Sequence, residues 1–269
     1  MIIAHLTDLH VRPRGLAAMR VCETNMLTER ALVAVGRFRP RPDALVISGD
    51  LAANGLAAEY ANLAEMLGRL IDIPVYVIPG NHDDRAMLKR HLSHLPHIGG
   101  LDRFVQYAVD DLPVRLVLLD TLVPGSPAGE LCAERLAWLD ATLAAQPDKP
   151  TIVVMHHPSF PCGLTMMDTI NLAEPERFTA VIACHRQVRL VLSGHHHRQI
   201  TSHVAHAIGI VGPGVAHILE LELFGAADPM WNLEPAAFLI HAWVEGAGIV
   251  THTAQVERAP GPFPFLSDV

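Results

Sequence analysis

The sequence predicts an α/β protein, on three observations. Short apolar runs rich in Val, Ile and Leu alternate with stretches of helical composition. Those runs are apolar throughout, the pattern of a sheet covered on both faces. Five of them end in Asp, Asn or His, at the carboxyl ends where folds of this type bind ligands.

Taken in order, Ile2–Leu6 reads as a strand leading into Thr7-Asp8-Leu9-His10. If the extended conformation continues, Asp8 and His10 project to the same face, as a chelating pair requires. A polar loop from Val11 to Arg20 precedes a helix that runs to Phe38 and is ended by Pro40 and Pro42. The strand Ala44–Ser48 follows, with Gly49 permitting a tight turn that leaves Asp50 at the tip. A helix over Ala57–Leu70 leads through Pro74 to the strand Val75–Ile78 and the turn Gly80-Asn81-His82-Asp83. Asp83 and Asp84 are expected to cap a helix from Arg85 to Leu95, so Asp83 reads as structural. His91, His94 and His97 recur at spacing three on that helix and just beyond it. They lack a nearby carboxylate and read as a solvated or partly packed face.

Phe104–Val109 and Arg115–Leu119 suggest a hairpin around Asp110-Asp111, and Leu131–Ala145 an amphipathic helix. The strand Thr151–Met155 ends in His156-His157, and neighbouring residues on an extended chain face opposite ways, so at most one should enter a common site. A loop over Pro158–Thr169 and a helix over Pro175–Arg186 precede the strand Arg189–Ser193, which ends in Gly194-His195-His196-His197. By the same parity His195 and His197 share a face and His196 looks away. Ile208–Val211, Ile218–Leu223, Ala237–Val244 and Ile249–His252 read as a second, mixed or antiparallel sheet. Gly225–Pro235 reads as a projecting lobe and 259–269 as an extended tail, its prolines excluding a helix. No repeat, low-complexity segment or interdomain linker divides the 269 residues, so one domain is expected.

Composition narrows the function. Half the residues are hydrophobic, enough for a sizeable core, yet no apolar run approaches the roughly 20 residues of a membrane span. Asp8 lies too near Met1 to leave room for a cleaved leader, and a cytoplasmic location is expected. The four cysteines form no C-x-x-C pair, which argues against a disulfide framework and a thiolate zinc site. A formal charge of -8 disfavours a nucleic-acid polymer as partner. Seventeen histidines are unusual, and imidazole is the commonest neutral metal ligand. Five strand tips each delivering Asp, Asn or His point together to a metal site.

The ordered set Asp8-Leu9-His10, Gly49-Asp50, Gly80-Asn81-His82-Asp83, His156 and Gly194-His195-His196-His197 resembles the calcineurin-like metallophosphoesterase superfamily. Its signature is D-x-H, G-D, G-N-H-[DE], a lone His, then G-H-x-H, and every part is present in order over residues 8–197. The short loops Ile78-Pro79-Gly80-Asn81-His82-Asp83-Asp84, Met155-His156-His157-Pro158 and Val215-Ala216-His217 resemble the bacterial class III cyclic-nucleotide phosphodiesterase and glycerophosphodiesterase branch. The resemblance implies a four-layer α/β/β/α sandwich with a small C-terminal lobe and two divalent metal ions.

By that resemblance Asp8, His10 and His197 hold one ion, Asn81, His156 and His195 the other, and Asp50 bridges them. His82 stands beside the centre as a catalytic group that stabilises the transition state or protonates the leaving oxygen, and Asn81, His82 and His217 contact substrate. Oxygen and nitrogen donors without thiolate suit Mn, Fe, Co or Zn. Such a pair activates water to hydroxide and clamps the attacking and leaving oxygens. Two dications, two aspartates and one hydroxide leave about +1, which attracts a phosphodiester monoanion. The expected activity is hydrolysis of a small phosphodiester, a glycerophosphodiester or a 3',5'-cyclic nucleotide, by a metal-dependent, homo-oligomeric enzyme. The alternatives are a phosphomonoesterase or nuclease on the same scaffold, or a non-catalytic scaffold protein.

Overall fold

A computed structural model describes residues 1–225 and 228–264. The strands are β1 (Ile2–Leu6), β2 (Ala44–Ile47), β3 (Val75–Val77), β4 (Tyr107–Val109), β5 (Arg115–Leu118), β6 (Thr151–Val154), β7 (Val188–Ser193), β8 (Ile200–Val204), β9 (Ala207–Val211), β10 (Ile218–Leu219), β11 (Trp231–Asn232), β12 (Ala237–Val244) and β13 (Gly248–Gln255). The helices are α1 (Thr24–Arg37), α2 (Ala57–Leu70), α3 (Arg85–His91), α4 (Ala133–Ala144), α5 (Thr165–Asp168) and α6 (Pro175–Cys184).

One sheet has the order β13-β12-β1-β2-β3 and the other β4-β5-β6-β7-β9-β8. Strands β1 to β3 run parallel, as do β5, β6, β7 and β9. Side chains alternate across the second sheet, as the period of two demands. Leu116, Leu118, Ile152, Val154, Leu190 and Leu192 join the core shared with Ile3, Leu45 and Ile47 of the first sheet. Their neighbours Val117, Leu119, Val153, Met155 and Val191 pack outward on Leu136, Leu139 and Leu143 of α4 and Phe178 and Ile182 of α6. Leu32 and Val35 of α1 and Leu63 and Leu67 of α2 are buried in the first core. The layering is α/β/β/α, because each sheet buries two apolar faces.

The structure corrects several expectations. The C-terminal strands do not form a sheet of their own. β9 extends the second sheet, β12 and β13 extend the first, and β10 pairs only with β11 in a short ribbon. The strand β8, whose burial alternates around polar residues, carries no continuous apolar run and was not legible. Helix α3 stops at His91 rather than Leu95, and Asp84 alone caps it, accepting from Met87 N at 2.8 Å. The lobe expected over 225–235 and the tail over 259–269 include residues 226–227 and 265–269, which lie outside the described residues.

Candidate metal centre

Both sheets present their carboxyl ends to one place. Thr7–His10 follows β1, Asp50 follows β2, Asn81 and His82 follow β3, His156 follows β6, and His195–His197 follow β7. Asp8, His10, Asp50, His156, His195 and His197 are all buried.

The chain does not reach this geometry by extended strand parity. β1 ends at Leu6 and β7 at Ser193, and the ligand-type residues beyond them take left-handed backbone. Asp8 (φ 56°), His10 (φ 45°), Asp50 (φ 49°), His195 (φ 72°) and His197 (φ 52°) are five of the eleven left-handed non-glycine residues described. Each such residue costs on the order of 1 kcal/mol or more and persists only where surrounding structure dictates it. The shared face expected for Asp8 with His10 and for His195 with His197 therefore exists, but left-handed turns produce it.

Two glycines permit the close approach. Gly49 has φ 102°, and a Cβ there would lie 2.4 Å from His156 Nδ1. A Cβ on Gly80 would lie 2.2 Å from Asp50 Oδ1 and 2.7 Å from His156 Nε2. Asp83 ties the same loops together from beneath, accepting from Leu51 N, Ala52 N, Gly80 N and the Tyr60 hydroxyl at 2.8–3.0 Å. Its role is structural, as expected, although it is not the helix cap. Burial and the nearby Asp50 push its carboxyl up to about 6.

Two donor groups result. Asp8, His10, Asp50 and His197 each offer an atom within 4.8 Å of the others. His10 Nε2 is 3.1 Å from His197 Nε2 and 3.5 Å from Asp50 Oδ2, and His197 Nε2 is 3.3 Å from Asp8 Oδ1. On the other side His156 Nε2 is 3.4 Å from Asp50 Oδ2 and 3.2 Å from Asn81 Oδ1, which is itself 3.0 Å from His195 Nδ1. Asp50 Oδ2 thus lies between the groups.

These residues fit divalent cations on the structure's own terms. Backbone carbonyls can only accept, so His156 Nδ1 donates to Ser48 O (2.8 Å) and His197 Nδ1 to His217 O (2.7 Å). That leaves Nε2 of each ring to face carboxylate oxygen, a contact that takes a positive charge there, either a second ring proton or a cation. Among the described residues, only histidines lie within ion-pair distance of Asp8 and Asp50. Against the desolvation of its burial, Asp50 draws the His156 ring up to about 9, and Asp8 likewise raises His197. Burial opposes charge on Asp8, yet His197 and His156 hold its carboxyl down at about 2. His10 is lowered to about 3 by burial, which Asp50 only partly offsets. The donors are oxygen and nitrogen only, with some left bare: His195 Nε2 is buried without a partner.

The neighbouring histidines have partners of their own. His157 stays beside the centre, a ring nitrogen within 4.8 Å of those of His156 and His195, but both its nitrogens are engaged, with Thr121 Oγ1 (2.8 Å) and Pro127 O (3.2 Å), while His196 turns to Asn171 Oδ1 (2.6 Å). The exposed His82 donates from Nδ1 to Ala53 O (2.9 Å), while its backbone N–H bonds Asp50 Oδ1 (2.9 Å). A cavity of about 440 Å³ opens over the centre, lined by His10, Asp50, Asn81, His82, His195, His197 and His217. Arg12 and Met167 also line it, from the loops over 11–20 and 158–169. Asn54, Pro127, Ile170 and Leu219 line it too, and no sequence signal marks them. His217 packs its ring 4.3 Å from that of His197 and is held neutral, burial and His197 lowering it to about 2.

Comparison with known proteins gives one pattern. Residues 1–199 match the family model for calcineurin-like phosphoesterases. A probable glycerophosphodiester phosphodiesterase of Arcobacter nitrofigilis is 30% identical over 269 residues, covering 100% of this chain and 98% of that protein. A probable cyclic nucleotide phosphodiesterase of Rhodopseudomonas palustris is 33% identical over 266 residues, covering 98% and 95%. The crystal structure of a dimetal phosphatase from Danio rerio superposes with a TM-score of 0.66 at 18% identity, over 96% of this chain and 99% of that one.

Proposed function

The chain belongs to the calcineurin-like phosphoesterase family, and from that premise we propose that it is a metal-dependent phosphodiesterase acting on small phosphodiesters. Asp8, His10 and His197 would hold one divalent ion and Asn81, His156 and His195 a second, with Asp50 available to both. The observation that carries this reading is the position of Asp50 Oδ2, 3.5 Å from His10 Nε2 and 3.4 Å from His156 Nε2.

When bound, such a pair of ions supplies Lewis-acid activation of water and neutralises phosphoryl charge. The chain's own residues do the rest. The Ser48 and His217 carbonyls fix which nitrogen of His156 and His197 is free to ligate. His82, anchored through Nδ1, keeps Nε2 as its free ring position and delivers a proton to the leaving oxygen. Neutral His217 and the Arg12 guanidinium line the cavity and contact the substrate.

Relatives named for glycerophosphodiester and cyclic-nucleotide hydrolysis support those two substrate classes. The donor set suits Mn, Fe, Co or Zn. We further propose a single domain and a cytoplasmic location; no helix among the described residues is long and apolar enough to cross a membrane. The exposed Leu221, Leu223, Phe224, Met230 and Leu233 around the β10–β11 ribbon support self-association. The test is a panel on metal-reconstituted protein comparing a cyclic nucleotide, a glycerophosphodiester, an aryl diester and an aryl monoester. Higher efficiency on a diester is expected. Metal-loaded protein that turns over no diester overturns the proposal.

A further inference from the structure

We propose a third metal site, a zinc site formed by Cys162, Asp168 and His196 on the far side of the His195–His197 turn from the dinuclear centre. A ring nitrogen of His196, the Cys162 Sγ and an Asp168 carboxylate oxygen lie within 4.8 Å of one another. Thiolate, imidazole and carboxylate are a zinc donor set, with water completing four-coordination. Zinc bonds of about 2.0–2.3 Å place tetrahedral donors roughly 3.3–3.6 Å apart, so a movement of about 1 Å closes the set.

Two features go beyond proximity. Asp168 is already oriented: it accepts from Cys162 N (2.7 Å), Gly163 N (2.9 Å) and Asn171 Nδ2 (3.2 Å), which curls the loop around the thiol. The His196 tautomer is fixed as well. Asn171 Nδ2 gives its hydrogens to Phe160 O and Asp168, so Asn171 Oδ1 faces His196 Nε2 and accepts from it at 2.6 Å. That leaves His196 Nδ1 unprotonated, buried and without a partner. A fully buried bare imidazole nitrogen is costly unless something fills it.

The step balances simply. Cys162 is held as a thiol, burial and Asp168 pushing it up to about 12. Binding therefore forms a metal–sulfur bond and sends the thiol proton to solvent. The bound ion fastens the loop carrying Met167, which lines the active-site cavity, to the residue between His195 and His197. The site does not depend on the dinuclear reading, because it shares no ligand with it.

Cobalt(II) separates the two. The dinuclear donors are oxygen and nitrogen, so a sulfur-to-cobalt charge-transfer band in the near ultraviolet reports on a cysteine site alone. Titration of chelator-treated protein should develop that band and saturate it by three equivalents, one for each site. Cys162→Ser should abolish it while binding one equivalent less metal and keeping its diesterase turnover. Zinc should also slow iodoacetamide alkylation of Cys162 by on the order of 10-fold. Saturation with cobalt without a sulfur band overturns the proposal, and so does a band of undiminished intensity in Cys162→Ser.

Discussion

The Nε2 atoms of His10 and His197, residues 187 positions apart in the chain, stand 3.1 Å from each other inside the protein. His197 Nδ1 already donates to the His217 carbonyl, so Nε2 is the nitrogen left to face His10. On the proposed assignment both nitrogens would ligate one cation, with Asp8 and Asp50 supplying the balancing negative charge.

Replacing Asp50 by Ala should remove metal and activity together, because its Oδ2 borders both donor groups. Diester turnover is expected to fall by at least about 10³-fold, roughly 4 kcal/mol of barrier. Metal analysis of the dialysed variant alongside steady-state kinetics checks this, and an active, metal-free variant would refute the site.

His82→Ala should retain its metals and lose turnover by about 10²-fold or more, the range for a positioned proton donor. The loss should be largest for substrates with poor leaving groups. A series of aryl diesters of graded leaving-group pKa, with metal content measured in parallel, separates this role from a ligand role.

Gly80→Ala places a methyl 2.2 Å from Asp50 Oδ1 and 2.4 Å from Asp50 N. The loop must shift, at an overpacking cost of about 1–3 kcal/mol, and the bridging carboxylate shifts with it. The expected result is a lowered denaturation midpoint with metal affinity reduced by more than the stability loss implies. Calorimetry and metal titration on one preparation measure both.

Stability should fall with acid through His5. This ring is buried between the sheets, with Nε2 on Ser48 Oγ (2.8 Å) and Nδ1 unpartnered. Burial, only partly countered by Asp8, lowers it from 6.5 to about 4. The unfolded chain therefore binds the proton first, so the folded state loses stability as pH falls below 6.5 until the folded ring titrates near 4. The loss approaches about 3 kcal/mol over that window and is about 2 kcal/mol between pH 7 and 5. His5→Asn, which cannot titrate there, should lose about that much less between the two pH values in urea unfolding.

Much of this was written in the residues because the ligand-type side chains sit at the ends of apolar runs. Val75–Val77 followed by Gly80-Asn81-His82, or Val188–Ser193 followed by Gly194–His197, reads as a strand with a loaded tip. The partition of strands between two sheets was not legible. The apolar runs of β9 and β12 look alike, and only long-range pairing sends one to β7 and the other to β1. Nor was the left-handed backbone at Asp8 and Asp50, since neither residue type demands it. Asn54 and Ile170 line the cavity only because distant loops meet there.

The division of donors between the sheets has a consequence for folding. Asp8, His10, Asp50 and Asn81 hang from one half of the sandwich, and His156, His195 and His197 from the other. On the proposed assignment neither half by itself carries a complete coordination set, so ions of moderate affinity would not be captured by a nascent chain before both halves have docked. Once captured, they would rivet the seam, and a chelator should loosen the joint between the layers before it melts either layer.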